Sequence, residues 1–319
     1  MSIDNPVVID YDHGISTIDT EYVAPGVDAS HLLVDNGEAA LVDVGTNHSI
    51  PVLMSALEQK GIAPEQVRYV LITHVHLDHA GGAGKIMTQL PNATLVAHPR
   101  AARHIIDPSR LVEGATAVYG EEAMARQFGK LLPVPEERVQ IADDGHTLML
   151  GKRKLLFLDT PGHAYHHYSV VDNAAGVIFP GDTFGLSYRA LDTDRGAFIC
   201  PTTTPVHFDP EAAHRSIDRL MSYKPRAMFV AHFGRLDDLQ RLAADLHHGI
   251  DALVEIARRH EHAGEQRYHH IHSDMRAWLL EGLRAHGCKL DEQRIDNLMA
   301  MDLDLNTMGL EVWLDRQAD

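Results

Sequence analysis

The stretch from residue 67 to residue 82, VRYVLITHVHLDHAGG, restricts the possible folds more than any other part of the chain. It opens on an apolar, β-branched run of the length and character of a strand buried on both faces. That run gives way to three histidines and one aspartate (His74, His76, Asp78 and His79) within six residues, followed by a glycine pair. Such groups do not continue a buried strand. They belong on a loop at its end, which is where layered α/β proteins collect their functional residues.

Other apolar runs end in the same manner. AALV leads into Asp43, LLFLDTPG into His163, GVIFPG into Asp182 and AMFVA into His232. These strand ends are distant in sequence, yet a sheet can gather them at one edge. Side chains alternate along a strand, so His74, His76, Asp78 and His79 converge only from a tight loop. Seven nitrogen and oxygen donors with one shared carboxylate suit a pair of divalent metals. Imidazole and carboxylate favour zinc, with iron or manganese as alternatives. Two such ions roughly 3.5–4 Å apart can share a hydroxide that is nucleophilic near neutral pH.

The rest of the chain supplies a frame for this site. Strands are expected at 14–19, 30–36 and 39–45, with Asn36-Gly37 marking a hairpin, followed by a helix over 47–60 that stops at Gly61. A helix follows the histidine cluster, a strand covers 93–98, and residues 99–130 read as a mainly helical insertion. Strands recur up to His232, interrupted by a helix over 209–224 with Asp209 as its cap. Strands with helices outside suggest two layers of sheet. Beyond residue 236 the strand pattern ceases and long amphipathic helices take over. The chain therefore divides into 1–235, an α/β domain, and 236–319, a helical appendage.

Composition narrows the function. A formal net charge of −17 without a dense Lys/Arg cluster disfavours nucleic acid as a partner. Two cysteines, Cys200 and Cys288, exclude a disulfide framework or a thiolate-rich zinc site. The opening MSIDNPVVIDYDHG lacks the apolar core of a signal peptide, and no apolar run reaches the ~18 residues of a membrane span. A cytoplasmic protein without membrane contact is expected. The 23 histidines decide nothing by number; their positions do.

THVHLDHAGG carries the HxHxDH signature, and here the sequence resembles the metallo-β-lactamase superfamily. TPGH at 160–163, PGDT at 180–183, AHFG at 231–234 and LVDVG at 41–45 are similar to its remaining motifs, in the same order, over residues 14–235. The resemblance implies a four-layer αβ/βα sandwich. It implies that His74, His76 and His163 hold one metal, that Asp78, His79 and His232 hold a second, and that Asp182 bridges them. Asp43 would orient a ligand histidine. The implied activity is hydrolysis of an ester, lactone or thioester small molecule by a hydroxide bridging two divalent ions, most readily zinc, with Asp78 steering the hydroxide. A mononuclear iron enzyme of the persulfide dioxygenase type, or a small-molecule sensor that retains the site, are the alternatives.

Several residues carry weaker expectations. In HAYHHYS, His167 is expected to support a ligand, and His166 to face substrate or to be exposed. The loop 183–209 is expected to line the pocket, with Tyr188 as a candidate hydrogen-bond donor to a carbonyl oxyanion, as in related lactonases. Arg189 and Arg195 read as solvated loop charges more than as carboxylate binders. His269, His270 and His272 lack matched carboxylates at strand ends and read as a solvated helix lead-in, and His247 and His248 as part of a helix face. The apolar stripe over 236–256 reads as core or as the seam of a homodimer.

Overall fold

The computed structural model describes residues 6–203 and 206–318. The first five residues and Thr204 and Pro205 of the expected pocket loop lie outside the described residues. The chain forms two compact units. The first comprises Met1–Asp159, His166–Gly181 and Pro225–Arg235, and the second Thr160–Tyr165, Asp182–Lys224 and Leu236–Asp319.

In the first unit, a seven-stranded sheet runs in sequence order through β1 (Val8–Tyr11), β2 (Ile15–Asp19), β3 (Ala29–Asp35), β4 (Glu38–Val42), β5 (Val67–Ile72), β6 (Thr94–Ala97) and β7 (Val139–Ile141). Its first four strands are antiparallel, and β4 to β7 are parallel. Asn36 and Gly37 both take positive φ and close the β3–β4 hairpin, as the Asn-Gly pair predicts. A second, six-stranded sheet contains β8 (Thr147–Leu150), β9 (Arg153–Asp159), β10 (Tyr168–Asp172), β11 (Val177–Gly181), β12 (Ala227–Val230) and β13 (Gly234–Leu236) in the order β13-β12-β11-β10-β9-β8. In this sheet β8 to β11 are antiparallel to their neighbours in turn, and β11 pairs with β12 in parallel.

The alternation of side chains explains the two cores of this unit. Along β4 and β5, Leu41, Val70 and Ile72 turn to one face of the sheet, while Ala40, Val42 and Leu71 turn to the other. The first face is covered by α1 (Ile50–Gln59), α2 (Leu77–Ala80), α3 (Ala83–Met87) and α4 (Pro99–Ile106), through Leu53, Leu57, Ile86 and Ile105 among others. The second face meets Phe157, Tyr168, Phe179 and Phe229 of the second sheet. The insertion after β6 continues through α5 (Ser109–Tyr119) and α6 (Glu121–Gln127), helical as the sequence indicates.

The second unit contains α7 (Pro210–Ser222), α8 (Leu239–Arg259), α9 (Arg267–His286) and α10 (Glu292–Ala318). Asp209 caps α7 by accepting the Ala212 amide at 2.9 Å. The irregular segment after Asp182 is tied to these helices. Thr203 N donates to Asn306 Oδ1 at 2.6 Å, Arg195 donates to the Ala285 carbonyl at 2.6 Å, and Phe208 packs edge-on against Trp313. His247 on α8 faces His214 on α7, Nδ1 to Nδ1 at 2.6 Å. The segments 160–165 and 182–224 thus belong with the C-terminal helices, whereas the sequence reading places them before residue 235. No described helix is long and apolar enough to cross a membrane.

Candidate metal centre

The centre in the first unit grows from the pairing of β4 with β5. The strands are parallel, so Asp43 and Thr73 leave the sheet at the same edge. Asp43, in a left-handed backbone conformation with φ of 54°, turns its carboxylate across the strand ends. Its Oδ1 accepts the Thr73 amide at 2.8 Å, and its Oδ2 accepts the Thr73 hydroxyl at 2.7 Å. The same Oδ2 lies 3.3 Å from His79 Nδ1. Thr73 Oγ1 lies 3.1 Å from His74 Nδ1. One buried carboxylate therefore reaches two histidines, one directly and one through a hydroxyl.

These contacts decide which nitrogens remain available. A carboxylate only accepts, so His79 Nδ1 carries the proton and Nε2 carries the lone pair. His232 Nδ1 donates to the Val27 carbonyl at 2.9 Å, which fixes the same tautomer. Both Nε2 atoms lie 3.6 Å from Asp78 Oδ2, a carboxylate on the single turn of α2. His74 Nε2 converges on His76 Nδ1 at 3.0 Å. Nitrogen lone pairs gathered with a carboxylate, and protonated nitrogens turned outward to oxygen, are the donor set and the supporting shell of a divalent metal site. The residues of this unit fit that group.

Glycine makes the approach possible. A Cβ at Gly81 would stand 2.4 Å from the Leu77 carbonyl oxygen, and one at Gly181 would stand 2.6 Å from His167 Nε2 and 2.8 Å from Thr73 Oγ1. His167 is fully buried, with its ring 4.8 Å from that of His74. His166 is buried as well, edge-on to His76 at 5.7 Å between ring centres, so it is not the exposed side chain that was one of its two expected readings.

The second unit holds the other two expected ligands. His163 Nε2 lies 3.4 Å from Asp182 Oδ2, and His163 Nδ1 lies 2.6 Å from Thr202 Oγ1. Asp182 directly follows Gly181, the last residue of β11. Tyr188, the expected oxyanion donor, is 1% exposed and donates its hydroxyl proton to Asp302 on α10 at 3.0 Å. Arg189 donates to the Ser187 carbonyl and pairs with Asp192, and Arg195 binds a helix carbonyl. His269 and His270 are exposed on α9, and His272 faces Asp304 at 3.3 Å.

Two groups near the centre escaped the sequence reading. Asp28, 1% exposed, offers a carboxylate oxygen within 4.8 Å of ring nitrogens of His79 and His232. Burial pushes its carboxyl up to about 7, against the opposing pull of His79 and His232. It precedes a strand instead of following one. The pairing of His31 with Val42 shows that β3 starts at the edge where β4 ends, so an acidic residue just before β3 was the available signal. The second is Tyr119, at the end of α5, whose phenol is held above its usual range by burial and by the Asp78 carboxylate. A cavity of about 240 Å³ opens in the same unit, lined by Thr20, Tyr22, Val23, His48, Arg126 and Gln127 among others.

The profile of the metallo-beta-lactamase superfamily matches residues 24–232, more than half of the chain. The chain belongs to the metallo-beta-lactamase superfamily. Among its relatives, the metallo-beta-lactamase fold-containing protein ST1585 of Sulfurisphaera tokodaii is 27% identical over 210 residues, 63% of this chain and 75% of that protein. The probable metallo-hydrolase MJ0888 of Methanocaldococcus jannaschii is 24% identical over 196 residues, covering 61% of this chain and 86% of that one. A hydroxyacylglutathione hydrolase of Hahella chejuensis is 32% identical, over only 47% of this chain and 44% of its own length. The crystal structure of ST1585 matches with a TM-score of 0.65 at 20% identity, covering 94% of this chain and 99% of that one, which establishes the fold. The two mixed sheets and their helices are the α/β sandwich of that family, with C-terminal helices added.

Proposed function

We propose that this protein is a metal-dependent hydrolase of small acyl compounds, an ester, lactone or thioester, that works with two divalent ions. His74, His76 and His163 would hold one ion, and Asp78, His79 and His232 the other, with Asp182 shared. The observation that carries this reading is the common orientation of His79 and His232, each with Nδ1 spent on a protein oxygen and Nε2 set 3.6 Å from the same Asp78 oxygen. The names of its relatives support the reading: a probable metallo-hydrolase and, over part of the chain, a hydroxyacylglutathione hydrolase. Zinc is the ion the imidazole-rich set favours, with manganese and iron as rivals.

When bound, such ions supply a nucleophile from water near neutral pH and polarise the scissile carbonyl. The residues of the chain do the remaining work. Asp43 locks His79 directly and His74 through Thr73, so the donor atoms are in place before substrate arrives. Asp78, with its side chain 23% exposed, is the carboxylate that can accept and orient the proton of the attacking water. Tyr188 is left out of the reacting groups, because its single proton already serves Asp302. The protein is read as a cytoplasmic homodimer with a small-molecule substrate.

The test is elemental analysis of protein purified without added metal, followed by a panel of esters, lactones and thioesters. Two ions per chain and turnover of one acyl class are expected. A single iron with oxygen consumption, or tight ligand binding without turnover, would overturn the reading in favour of a dioxygenase or a sensor.

A further inference from the structure

Asp28 is a buried carboxylate that the reading above leaves unused. Its side chain is 1% exposed, and only one of its two oxygens has a hydrogen-bonding partner among the described residues. Thr20 donates to Oδ2 at 2.6 Å, and Oδ1 is buried without a hydrogen bond. The backbone fixes the residue further, since the Thr20 amide donates to the Asp28 carbonyl at 3.0 Å. The carboxylate is thus held by one side, with the other side turned into the protein. Ring nitrogens of His79 and His232 each lie within 4.8 Å of one of its carboxylate oxygens. A buried anion whose lone pairs meet no donor is costly unless a cation completes the set.

We propose that Asp28 is a further ligand to the ion held by Asp78, His79 and His232. The proposal rests on the two-metal reading above. It makes the two positions chemically unequal. The first ion would be held by three imidazoles and a shared carboxylate. The second would be held by two imidazoles, two carboxylates and the shared one. An oxygen-rich set with that many donors suits a six-coordinate ion, so manganese or iron gains on zinc at the second position. Thr20 is a positioning residue in this scheme. Its hydroxyl occupies Oδ2 and leaves Oδ1 for the ion.

The experiment uses the full chain stripped with chelator and titrated separately with Zn²⁺ and Mn²⁺ against a competing chelator, with cobalt absorption as a second readout. Wild-type protein is expected to take up two ions. Asp28→Asn keeps the shape and a hydrogen bond to Thr20 while losing the charge, and is expected to weaken the second ion about 10–100-fold and leave the first within threefold. The loss should be larger for Mn²⁺ than for Zn²⁺, and the cobalt d–d bands of the second site should intensify as the coordination number falls. Thr20→Val, which keeps the carboxylate and removes its clamp, is expected to weaken the second ion about tenfold and serves if Asp28→Asn does not fold. Two-ion binding in Asp28→Asn within threefold of wild type overturns the role of Asp28 and leaves the two-metal reading intact. Wild-type protein that takes up no second ion overturns both.

Discussion

Replacing Asp43 with asparagine changes one atom and almost no volume, yet it should disturb both halves of the proposed two-ion centre. In the native protein, Asp43 Oδ2 accepts from the Thr73 hydroxyl at 2.7 Å and faces His79 Nδ1 at 3.3 Å. An amide that keeps its oxygen on the Thr73 N–H places its NH₂ where Oδ2 stood. That group donates to His79 Nδ1, so the ring proton moves to Nε2 and the lone pair aimed at Asp78 disappears. It also donates to Thr73 Oγ1, whose hydroxyl then turns toward His74 Nδ1, 3.1 Å away, and drives the same tautomer change there. Loss of a ligand-orienting partner weakens metal binding by about 10–100-fold, or about 1.4–2.8 kcal/mol, and here it should do so for each ion. Folding should suffer little, because shape and hydrogen-bond count are preserved. The assay is chelator-competition titration of the apo protein, together with ¹⁵N shifts of the His79 and His74 rings and a thermal melt. Asp43→Asn protein that binds both ions within threefold of wild type, with native tautomers, would refute the reasoning.

Further outcomes follow from the described geometry. Burial pushes His31 down to about 4, from an ordinary 6.5, in a site where Nε2 faces the Val230 carbonyl and Nδ1 the Thr17 hydroxyl. The unfolded chain therefore binds the extra proton between those values, so this contribution is complete above pH 6.5 and declines by about 3 kcal/mol as the pH falls to 4. His31→Gln should remove that slope, and equal slopes in denaturant melts of the two proteins would contradict it. Tyr188→Phe should lower stability by about 1.5–3 kcal/mol through loss of the bond to Asp302, with turnover within threefold. A hundredfold loss of kcat at unchanged stability would instead return Tyr188 to the oxyanion. Joint replacement of His269, His270 and His272 with glutamine should leave kcat/KM within about threefold, because surface substitutions seldom cost much; a hundredfold fall would mark a site on α9.

Much of the fold was legible because periodicity reports burial directly. The VRYVLI run is a strand, buried on both faces over its last three residues, Val70 to Ile72, and the Asn36-Gly37 turn closes the predicted hairpin. The rule of polar groups at strand ends pointed to Asp43, His74, His76, Asp78, His79 and His232, and the structure brings these side chains near one another because parallel strands deliver their C-terminal ends to one edge. It does not reach Asp28, the neighbour of His79 and His232, which sits before an antiparallel strand that begins at that edge. The bond from Tyr188 to Asp302 could not be read from the sequence, because chain proximity to Asp182 says nothing of direction and the α10 carboxylate lies more than a hundred residues away. The contact of His166 with His76 was hidden for a related reason: it depends on how β10 returns to β5, where the Tyr168 amide bonds to the Thr73 carbonyl at 2.9 Å.

The central claim is a shared two-ion centre, and the most direct measurement is the number of ions per chain in wild-type protein and in Asp182→Ala. Protein purified without added metal and analysed for zinc, manganese and iron should hold two ions in the wild type. It should hold one or none in the variant, because the carboxylate proposed to serve both positions is gone. Two ions retained in Asp182→Ala, or none in the wild type, would contradict the account.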